Sequence, residues 1–365
     1  MKRRILLVTG SLDIGGLENV AMDIVRYSDK SKMCFDFLVY GQKEFYYQKE
    51  AEELGCHILR IPSPQDGYLK FYKNLKYIIS KNGPYAIVHS HTYFNSGLVV
   101  MAAKKVNVPC CISHSHSIER PGDRKAIKKI VYTFYRFLLR RYSDKLCACS
   151  QSAGEYVFGK KIFEQKGIVI SNPIDLEKFA YSKHDREQLR KKFNIDAHSI
   201  VLGNVGRVVS GKNQRFLIDI MKILNNEKYT LLLVGDGPQR EQLENYARKQ
   251  GVSKKIIFAG EQKNIRPYLS AMDVFLMSSK HEGLGIVLIE AMANGLPCIY
   301  EDSAIVDEIK KLPYGFAVEG FDAGEWIKKI DEVKGLGKSS SEKIKENLKE
   351  YDVKKLRNMI EKLYG

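Results

Sequence analysis

The sequence predicts an α/β protein made of two doubly wound, parallel-sheet domains. Short apolar runs alternate with helical patterns along both halves of the 365 residues, and such alternation favours parallel strands covered by helices on both faces. The length suits two domains that each bury a hydrophobic core. The runs interpreted as strands are residues 4–8, 35–39, 87–89, 110–113, 145–149 and 167–170 in the first half, and 200–205, 230–234, 255–258, 274–277 and 297–300 in the second.

The first strand runs into a glycine-containing loop. Residues 5–19 read ILLVTGSLDIGGLEN and precede a helical pattern over residues 20–27. This stretch lacks the complete G-x-G-x-x-G fingerprint of dinucleotide binding, so it gives little support to a nicotinamide or flavin cofactor. Gly16 instead predicts a loop whose backbone a phosphate or substrate can approach closely.

A second strand-to-helix turn carries two cations. Residues 203–212 read GNVGRVVSGK and precede a helical pattern over residues 214–224. Arg207 offers a planar fork for phosphate oxygens and Lys212 a point charge, so together they can neutralise a leaving diphosphate. Because the net charge is +16, ordinary surface cations are the alternative interpretation.

The most informative stretch is residues 282–290, which read EGLGIVLIE and lead from a strand into a helix predicted over residues 283–294. Glu282 and Glu290 can accept hydrogen bonds from sugar and ribose hydroxyls. At 1.5 Å per helical residue they would lie about 12 Å apart, roughly the span from a sugar to its nucleotide's ribose. An amphipathic helix with a solvated carboxylate is the alternative. The residues whose free N–H groups would suit phosphate oxygens at the start of this helix are Gly283, Leu284 and Gly285.

Two His-x-His pairs follow predicted strands. Residues 89–96 read HSHTYFNS and residues 114–117 read HSHS. A histidine at the end of a strand can contact a sugar or help to position an acceptor hydroxyl, although a single histidine is more often a structural hydrogen-bonding group. The repetition favours a functional site, with His91, His114 and His116 as its candidates.

Taken together, these motifs resemble the retaining glycosyltransferases of family four. The resemblance extends over nearly the whole chain, because the segments SNPID, LLVGDG and EAMANGLP, which begin at Ser171, Leu232 and Glu290, also follow the order of the family. The histidine pairs are similar to those of bacterial enzymes of exopolysaccharide, capsule and other surface-glycan assembly. The resemblance implies the GT-B architecture, in which two Rossmann-like domains face each other across a cleft.

The resemblance also implies roles for the motif residues. Arg207, Lys212 and backbone amides would stabilise the leaving diphosphate, while Glu282 holds the donor sugar and Glu290 the ribose. Transfer would retain the anomeric configuration and would need no metal ion or other cofactor. The expected donor is a nucleotide diphosphate sugar, and the nucleoside expected from the resembling family is uridine. The residues expected to contact this donor are Gly16, Arg207, Lys212, Glu282, Gly283, Leu284, Gly285 and Glu290.

A histidine completes the expected catalytic set, which comprises His116 with Glu282, Arg207 and Lys212. His116 matches best the family's active-site histidine at the end of a strand, and His114 is the alternative position. The sequence departs from the family pattern at Leu284, where an aromatic residue is common. It also departs at residues 300–308, which read YEDSAIVDE where a Gly-Gly-x-Pro-Glu loop is usual.

The link between the domains is predicted around residues 172–192, where Asn172-Pro173 breaks regular structure and a charged run is expected to be exposed. We expect an N-terminal acceptor-binding domain over residues 1–180 and a C-terminal donor-binding domain over residues 181–349. In the resembling family the final helix crosses back, so residues 350–365 are expected to pack on the first domain.

Basic residues concentrate in one segment, because residues 101–145 contain 11 basic and 3 acidic side chains. The interleaved apolar residues predict a helix that suits an anionic membrane surface, and a domain helix with its apolar stripe in the core is the alternative. A nucleic-acid partner is not expected, since the sequence has no recognisable nucleic-acid-binding motif. The basic residues nearest this helix are Arg120, Arg124, Lys125, Lys128, Lys129, Arg136, Arg140 and Arg141.

The cysteines and apolar segments bear on location. Seven cysteines show no zinc-type pairing and predict reduced, mostly buried thiols. No run of apolar residues reaches the ~18 that a membrane span needs, and the N-terminal run is too short for a signal peptide. These observations predict a cytoplasmic protein, with contact to the inner face of the membrane limited to its surface.

Two other classes of function remain open. One is a nucleotide-sugar epimerase or hydrolase on the same architecture, and the other is a non-catalytic protein that binds glycan or nucleic acid. An epimerase would need further acids near the sugar, and a simple binder would not need Glu282, Glu290, Arg207 and Lys212 together. The two glutamates also suit two subsites better than the acid and base of a hydrolase.

Overall fold

The computed structural model describes residues 2–116, 126–224, 226–282, 284–338 and 341–365, without the side chains of residues 126–129 and 341–343. The chain forms two compact units. Unit 1 comprises Met1–Pro173 and Val353–Gly365, and unit 2 comprises Ile174–Asp352. The first change of unit falls after Pro173, and the second falls after Asp352.

Unit 1 contains a seven-stranded parallel sheet in the order β3-β2-β1-β4-β5-β6-β7. Its strands are β1 Arg3–Gly10, β2 Met33–Tyr40, β3 His57–Ile61, β4 Ile87–Ser90, β5 Cys110–Ser115, β6 Lys145–Ala148 and β7 Gly167–Val169. Its first seven helices are α1 Gly16–Tyr27, α2 Gln48–Glu53, α3 Tyr68–Asn82, α4 Ser96–Lys105, α5 Ala126–Tyr142, α6 Gln151–Phe158 and α7 Lys160–Lys166.

Unit 2 contains a six-stranded parallel sheet in the order β10-β9-β8-β11-β12-β13. Its strands are β8 Ile200–Val205, β9 Tyr229–Val234, β10 Ile256–Phe258, β11 Val274–Met277, β12 Cys298–Glu301 and β13 Gly315–Val318. Its helices are α8 Lys183–Lys192, α9 Gln214–Leu224, α10 Arg240–Lys249, α11 Arg266–Ala271, α12 Ile286–Ala293, α13 Asp307–Lys310, α14 Ala323–Val333 and α15 Ser341–Leu348. The last helix of the chain, α16 Val353–Tyr364, belongs to unit 1.

Helix α16 is held to unit 1 by an apolar stripe. Leu356, Ile360 and Tyr364 recur at every fourth residue, so they share one face of the helix, and all three are buried in the core of the unit. The backbone oxygen of Leu363 accepts a hydrogen bond from Lys145 at the start of β6, 2.5 Å away. The end of the chain is therefore an integral part of unit 1.

Two strands, β3 and β13, were not predicted from the sequence, and both lie at a sheet edge. His57–Ile61 contains a histidine and an arginine and is mostly half-buried, while Gly315–Val318 begins with glycine and is also poorly covered. These two strands lack the continuous apolar run by which buried parallel strands are recognised. All the strands that the sequence predicted are present, and their ends differ from the predicted ends by no more than two residues.

The strand order reverses once in each sheet, between β1 and β4 in unit 1 and between β8 and β11 in unit 2. Open parallel sheets bind ligands beyond the carboxyl ends of the strands at such a reversal. The loops after these four strands are therefore the places to look for a site. Among the described residues, no helix is long and apolar enough to cross a membrane.

Candidate functional site

In unit 2, the turn after β8 is held in place by the segment after β11. The turn contains a short 3-10 helix, Ser210–Lys212, followed by Asn213 in the left-handed conformation (φ 53°) that asparagine tolerates well. Ser278 donates from its hydroxyl to the backbone oxygens of Lys212 at 3.0 Å and Asn213 at 3.2 Å. The two loops at the reversal of this sheet thus form one hydrogen-bonded structure.

Lys212 and Glu282 form an ion pair across this structure. Lys212 Nζ lies 2.5 Å from Glu282 Oε1, and the two side chains are 28% and 12% exposed. The backbone N–H of Glu282 donates to the oxygen of Ala304 at 3.1 Å, which fixes the loop that carries the carboxylate. The lysine stem packs next to Gly206, where a Cβ would lie 3.7 Å from Lys212 Cε, at an ordinary van der Waals distance.

Arg207 lies on the same turn but takes no part in this pair. Its side chain is exposed, and its backbone oxygen accepts a hydrogen bond from Gln214 Nε2 at 3.1 Å. Within the described part of the chain, its guanidinium makes no hydrogen bond or ion pair. The turn therefore presents one cation neutralised by a carboxylate and one that is open to solvent.

Glycines allow the loops after β8 and β9 to touch. A Cβ at Gly235, whose φ is +132°, would lie 2.1 Å from the backbone oxygen of Gly206. A Cβ at Gly237 would lie 2.4 Å from that of Val208. Since no side chain can be accommodated at these distances, the close backbone contact depends on glycine.

The helix after Glu282 begins later than predicted. The helix was predicted to start at Gly283, which lies outside the described residues, but α12 starts at Ile286. Gly285 has a φ of +70°, a left-handed conformation that cannot continue into a right-handed helix and that suits glycine at the cap. The predicted separation of about 12 Å between the two carboxylates assumed a helix that starts at Gly283, so it does not apply to a helix that starts at Ile286. Leu284 is buried, and Glu290 lies half-buried on the second turn of α12.

In unit 1, the glycine pair after β1 contains one crowded and one open position. A Cβ at Gly15 would lie 2.3 Å from Glu18 Oε2, whereas a Cβ at Gly16 would meet nothing within 4 Å. Burial raises the pKa of Glu18 to about 7, and the nearby carboxylate of Asp13 also raises it. The backbone at Gly16, the first residue of α1, is therefore accessible to a ligand.

The ends of β4 and β5 bring four histidines together. The ring centroids of His89 and His91 lie 4.1 Å apart, and those of His114 and His116 also lie 4.1 Å apart. The two pairs are joined by a hydrogen bond of 2.8 Å between His91 Nδ1 and His116 Nε2. His116 is the member that retains partial exposure.

Burial keeps these imidazoles neutral. It lowers the pKa of His89 to about 3 and that of His116 to about 4, although the nearby Asn172 acts in the opposite direction on the pKa of His116. The pKa values of His91 and His114 are also well below the usual value, because both rings are buried among the others. Neutral rings can act as hydrogen-bond donors and acceptors or as metal ligands, but not as cations.

Comparison with known proteins assigns the family. The family model described as Glycosyltransferase Family 4 matches residues 14–178, and that described as Glycosyl transferases group 1 matches residues 185–351. The chain is 33% identical over 356 residues to the putative glycosyltransferase EpsF of Bacillus subtilis, covering 95% of this chain and 92% of EpsF. The chain belongs to glycosyltransferase family four.

Other relatives and structures agree with this assignment. The glycosyltransferase is 28% identical over 243 residues to the UDP-Gal:alpha-D-GlcNAc-diphosphoundecaprenol alpha-1,3-galactosyltransferase of Escherichia coli, covering 63% of this chain and 62% of the relative. Among solved structures, it is similar to Anabaena HepE in complex with UDP, with a TM-score of 0.81 and 20% identity over 100% of this chain and 99% of HepE. The fold is GT-B, as predicted.

The glycosyltransferase brings some of the predicted site residues into contact and leaves others apart. Lys212 and Glu282 are paired, with Gly206 beneath the lysine. Arg207 shares their turn without touching them, and Glu290 follows on α12. The remaining residues lie in unit 1: Gly16 is the first residue of α1, which begins four residues earlier than predicted, and His116 directly follows β5.

Several residues that shape the site had no recognisable signal in the sequence. Ser278 donates a hydrogen bond to the backbone oxygen of Lys212. Tyr364, at the end of α16, hydrogen-bonds to His89 Nδ1 at 2.7 Å. A contact between residues 275 positions apart depends on the tertiary fold, so no local pattern could have revealed it. Glu18 stood in the glycine motif, but the high pKa of its carboxyl follows from burial that only the structure shows.

Proposed function

We propose that this glycosyltransferase moves a sugar from a nucleotide diphosphate sugar, with UDP as the nucleotide, to a glycan or a lipid-linked oligosaccharide. The product would be part of a bacterial surface polysaccharide, and the anomeric configuration of the sugar would be retained. The observation that carries the proposal is the contact between Lys212 and Glu282 at the strand-order reversal of unit 2, where parallel sheets bind their ligands.

The ion pair suits a donor with both a diphosphate and a sugar. A lysine ammonium can bind a phosphate oxygen, and a carboxylate can accept hydrogen bonds from sugar hydroxyls. Because Lys212 Nζ and Glu282 Oε1 are in contact, one ligand can engage both groups only if its anionic and hydroxyl-bearing parts are adjacent. That is the arrangement at the bond between a sugar and its diphosphate. The relatives support the same donor, since HepE binds UDP and the Escherichia coli enzyme is named for UDP-Gal.

We assign the remaining roles from position. Arg207, exposed on the same turn, would supply a second cation to the diphosphate as negative charge develops on it. Glu290 would bind the ribose hydroxyls, and the first N–H groups of α12, which lack partners within the helix, would face the phosphates. The short loop between Gly16 and the end of β1 would allow a phosphate to approach the backbone.

Transfer in this proposal relies on charge stabilisation and positioning. Lys212 and Arg207 would stabilise the departing diphosphate, and the acceptor hydroxyl would attack from the face that the diphosphate leaves, so that no covalent glycosyl-enzyme forms. His116, neutral and partly exposed, would hydrogen-bond to the donor sugar or the acceptor hydroxyl. The proposed chemistry requires neither a metal ion nor a further cofactor.

Product analysis tests the reaction and its stereochemistry. The purified protein is incubated with a UDP-sugar and a synthetic lipid diphosphate saccharide, and the new glycosidic bond is analysed by NMR. An α-linked product from an α-configured donor supports the proposal, and a β-linked product contradicts retention. Recovery of an epimerised UDP-sugar, or of free sugar with no dependence on acceptor, would favour the epimerase or hydrolase alternative.

We also propose that unit 1 binds the surface of an anionic membrane. Helix α5 carries an apolar stripe that is not in the core, since Ile130, Phe134 and Phe137 are 74%, 55% and 60% exposed. Their spacing of four and three residues places them on one face. At the start of the nearby α3, Leu69 is 81% exposed and is followed by exposed lysines on the same helix. Apolar side chains flanked by cations suit the boundary of an anionic bilayer.

Not every predicted basic residue contributes to such a surface. Arg136 donates to the backbone oxygens of Tyr156 and Val157, and Arg140 donates to that of Phe158. These two cations cap the C-terminal end of α6 and are structural. Arg141 is exposed, whereas the remaining predicted side chains, those of Arg120, Arg124, Lys125, Lys128 and Lys129, lie outside the described residues.

Vesicle sedimentation tests membrane binding. The double variant Phe134→Ser with Phe137→Ser should bind vesicles containing phosphatidylglycerol at least about tenfold more weakly, because each phenyl ring removes apolar area from water. Ile223→Ser, at a residue that is 60% exposed in unit 2, is the matched control and should bind like the wild type. Equal binding by the Phe134 and Phe137 variant would rule out this surface.

A further inference from the structure

The four-histidine cluster of unit 1 contains three rings that the proposed transfer does not use. His89, His91 and His114 are 0%, 1% and 1% exposed. The centroid of the His114 ring lies 5.3 Å from that of His89 and 5.0 Å from that of His91. Three neutral imidazoles lie in mutual proximity here, and no described carboxylate lies among them, which is unusual in a protein core, where buried polar groups are normally hydrogen-bonded.

Several nitrogens of this cluster lack partners. The Nε2 atoms of His89 and His91 and both ring nitrogens of His114 are buried and form no hydrogen bond with any described residue. A buried polar atom without a partner costs about 1–3 kcal/mol, so four such atoms in one place favour a bound ligand there. One nitrogen from each ring can be chosen so that all three lie within 4.8 Å of one another.

The hydrogen bonds on the opposite edges of the rings indicate the kind of ligand. His89 Nδ1 lies 2.7 Å from Tyr364 Oη, and His91 Nδ1 lies 2.8 Å from His116 Nε2. With the proton on Nδ1, each ring donates to that partner and leaves its unpartnered Nε2 available as a ligand atom. Histidines that bind metals are normally held in this way, with one nitrogen on the metal and the other donating a hydrogen bond.

We propose that His89, His91 and His114 bind one transition-metal ion of the Zn²⁺ class. Three imidazole ligands and an open fourth position are an established Zn²⁺ coordination, whereas Mg²⁺ and Ca²⁺ require a set of oxygen ligands that this group of described residues does not provide, since its three members are all histidines. Zn–N bonds of about 2.0–2.1 Å bring tetrahedral ligand nitrogens to about 3.4 Å from one another. The rings must therefore close inward and rotate slightly, since those of His89 and His114 are nearly parallel, at 5°.

The site links the metal to two functional parts of unit 1. His91, as a ligand, would fix the hydrogen bond to His116, the histidine assigned to the sugar or acceptor. His89 would fix the contact with Tyr364 at the end of α16. A bound ion therefore orients His116 and stabilises the docking of the last helix. The inference concerns binding and stability, and it stands whether or not the proposed transfer reaction is found.

The test uses the full-length protein without a histidine tag, stripped with a chelator. Titration with Zn²⁺ by calorimetry should show one site per chain, and the melting temperature should rise with the concentration of free Zn²⁺. Co²⁺ serves as a spectroscopic probe, because a tetrahedral site gives intense visible absorption bands that six-coordinate Co²⁺ does not. Absence of saturable binding, or a Co²⁺ spectrum that stays that of the hydrated ion, would overturn the proposal.

Variants assign the ligands. His114→Asn should abolish the Co²⁺ bands, and Tyr364→Phe, which removes only the partner of His89, should weaken Zn²⁺ binding roughly 10-fold to 100-fold. His184→Asn, at an exposed histidine of unit 2, should leave affinity and stoichiometry unchanged. If His114→Asn does not fold, Tyr364→Phe and the wild-type spectrum still decide the matter. Unchanged affinity in Tyr364→Phe together with unchanged bands in His114→Asn would place the metal elsewhere.

Discussion

Lys212 Nζ and Glu282 Oε1 lie 2.5 Å apart, which joins the two loops at the strand-order reversal of unit 2. Without a donor, each group neutralises the other. A donor that binds its phosphate to the lysine and its sugar hydroxyls to the glutamate has to replace this contact with its own. The free energy of the pair is therefore part of the cost of binding, and it also keeps the two side chains in position beforehand.

Removing the lysine should weaken the reaction strongly while changing stability little. For Lys212→Ala we expect kcat/KM to fall about 100-fold or more, because a cation that stabilises developing charge is lost. The pair is partly exposed, so its loss should cost less than about 1 kcal/mol in the free energy of unfolding. Steady-state kinetics and urea unfolding measure the two effects. Lys222→Ala, at an exposed lysine on α9, is the control and should keep wild-type kinetics.

The backbone contact beneath the site predicts a sharp difference between two glycines. Gly235→Ala should destabilise the protein by about 1–3 kcal/mol from its φ of +132° alone, and further because its Cβ would meet the oxygen of Gly206. Gly211→Ala should change stability by less than about 1 kcal/mol, since a Cβ there meets nothing within 4 Å. Urea unfolding compares them, and equal stability of the two variants would contradict the close contact.

The arginines at the end of α6 should affect folding. We expect Arg136→Ala to lower the free energy of unfolding by about 1–3 kcal/mol, because its guanidinium donates to the backbone oxygens of Tyr156 at 2.7 Å and Val157 at 3.1 Å. Arg141→Ala, at an exposed arginine one helical turn and a half further on, should stay within about 0.5 kcal/mol of the wild type. Denaturant unfolding of both variants checks this. A stable Arg136→Ala protein would show that the capping contacts contribute nothing.

Glu18 should make stability fall as the pH rises from about 4.5 to 7. Its carboxyl keeps a proton in the folded protein up to its raised pKa of about 7, whereas in the unfolded chain it loses the proton above about 4.5. Unfolding within this window releases a proton and becomes easier with increasing pH. The charged groups nearby are Asp13, which raises the pKa of Glu18, and Lys43, which pairs with Asp13.

The measurement for Glu18 is urea unfolding at pH 5 and pH 7. Glu18→Gln should remove this part of the pH dependence. Between pH 5 and pH 7, its free energy of unfolding should therefore fall less than that of the wild type. Glu44→Gln, at an exposed residue in the same unit, should retain the wild-type slope. An identical slope in Glu18→Gln would mean that this carboxyl titrates normally.

The fold was largely predictable because buried parallel strands leave a strong signal. The runs at Ile200–Val205 and Val274–Met277 were predicted residue for residue, since both consist mainly of buried apolar residues and Gly206 and Ser278 follow them. The edge strands His57–Ile61 and Gly315–Val318 were missed because both are incompletely buried, and the first contains a histidine and an arginine while the second begins with glycine. The start of α12 was predicted too early because the sequence EGLG does not determine which of its two glycines adopts the left-handed backbone conformation.

The candidate site was predictable by residue type but not by contact. The motifs indicated Lys212 and Glu282 separately, yet their pairing depends on two loops 70 residues apart that the sheet brings together. The same limit applies to the histidines, whose positions after strands were evident while their unpartnered nitrogens were not. Long-range contacts of this kind follow from strand order, which local patterns do not determine.

Thermal stabilisation by nucleotides tests the central claim most directly. UDP and UDP-sugars should raise the melting temperature of the wild type in proportion to the logarithm of their concentration, while GDP and ADP should not. The shift should be lost in Lys212→Ala and kept in Lys222→Ala. A shift of equal size in Lys212→Ala, or no shift with any uridine nucleotide, would contradict a UDP-sugar site at Lys212 and Glu282.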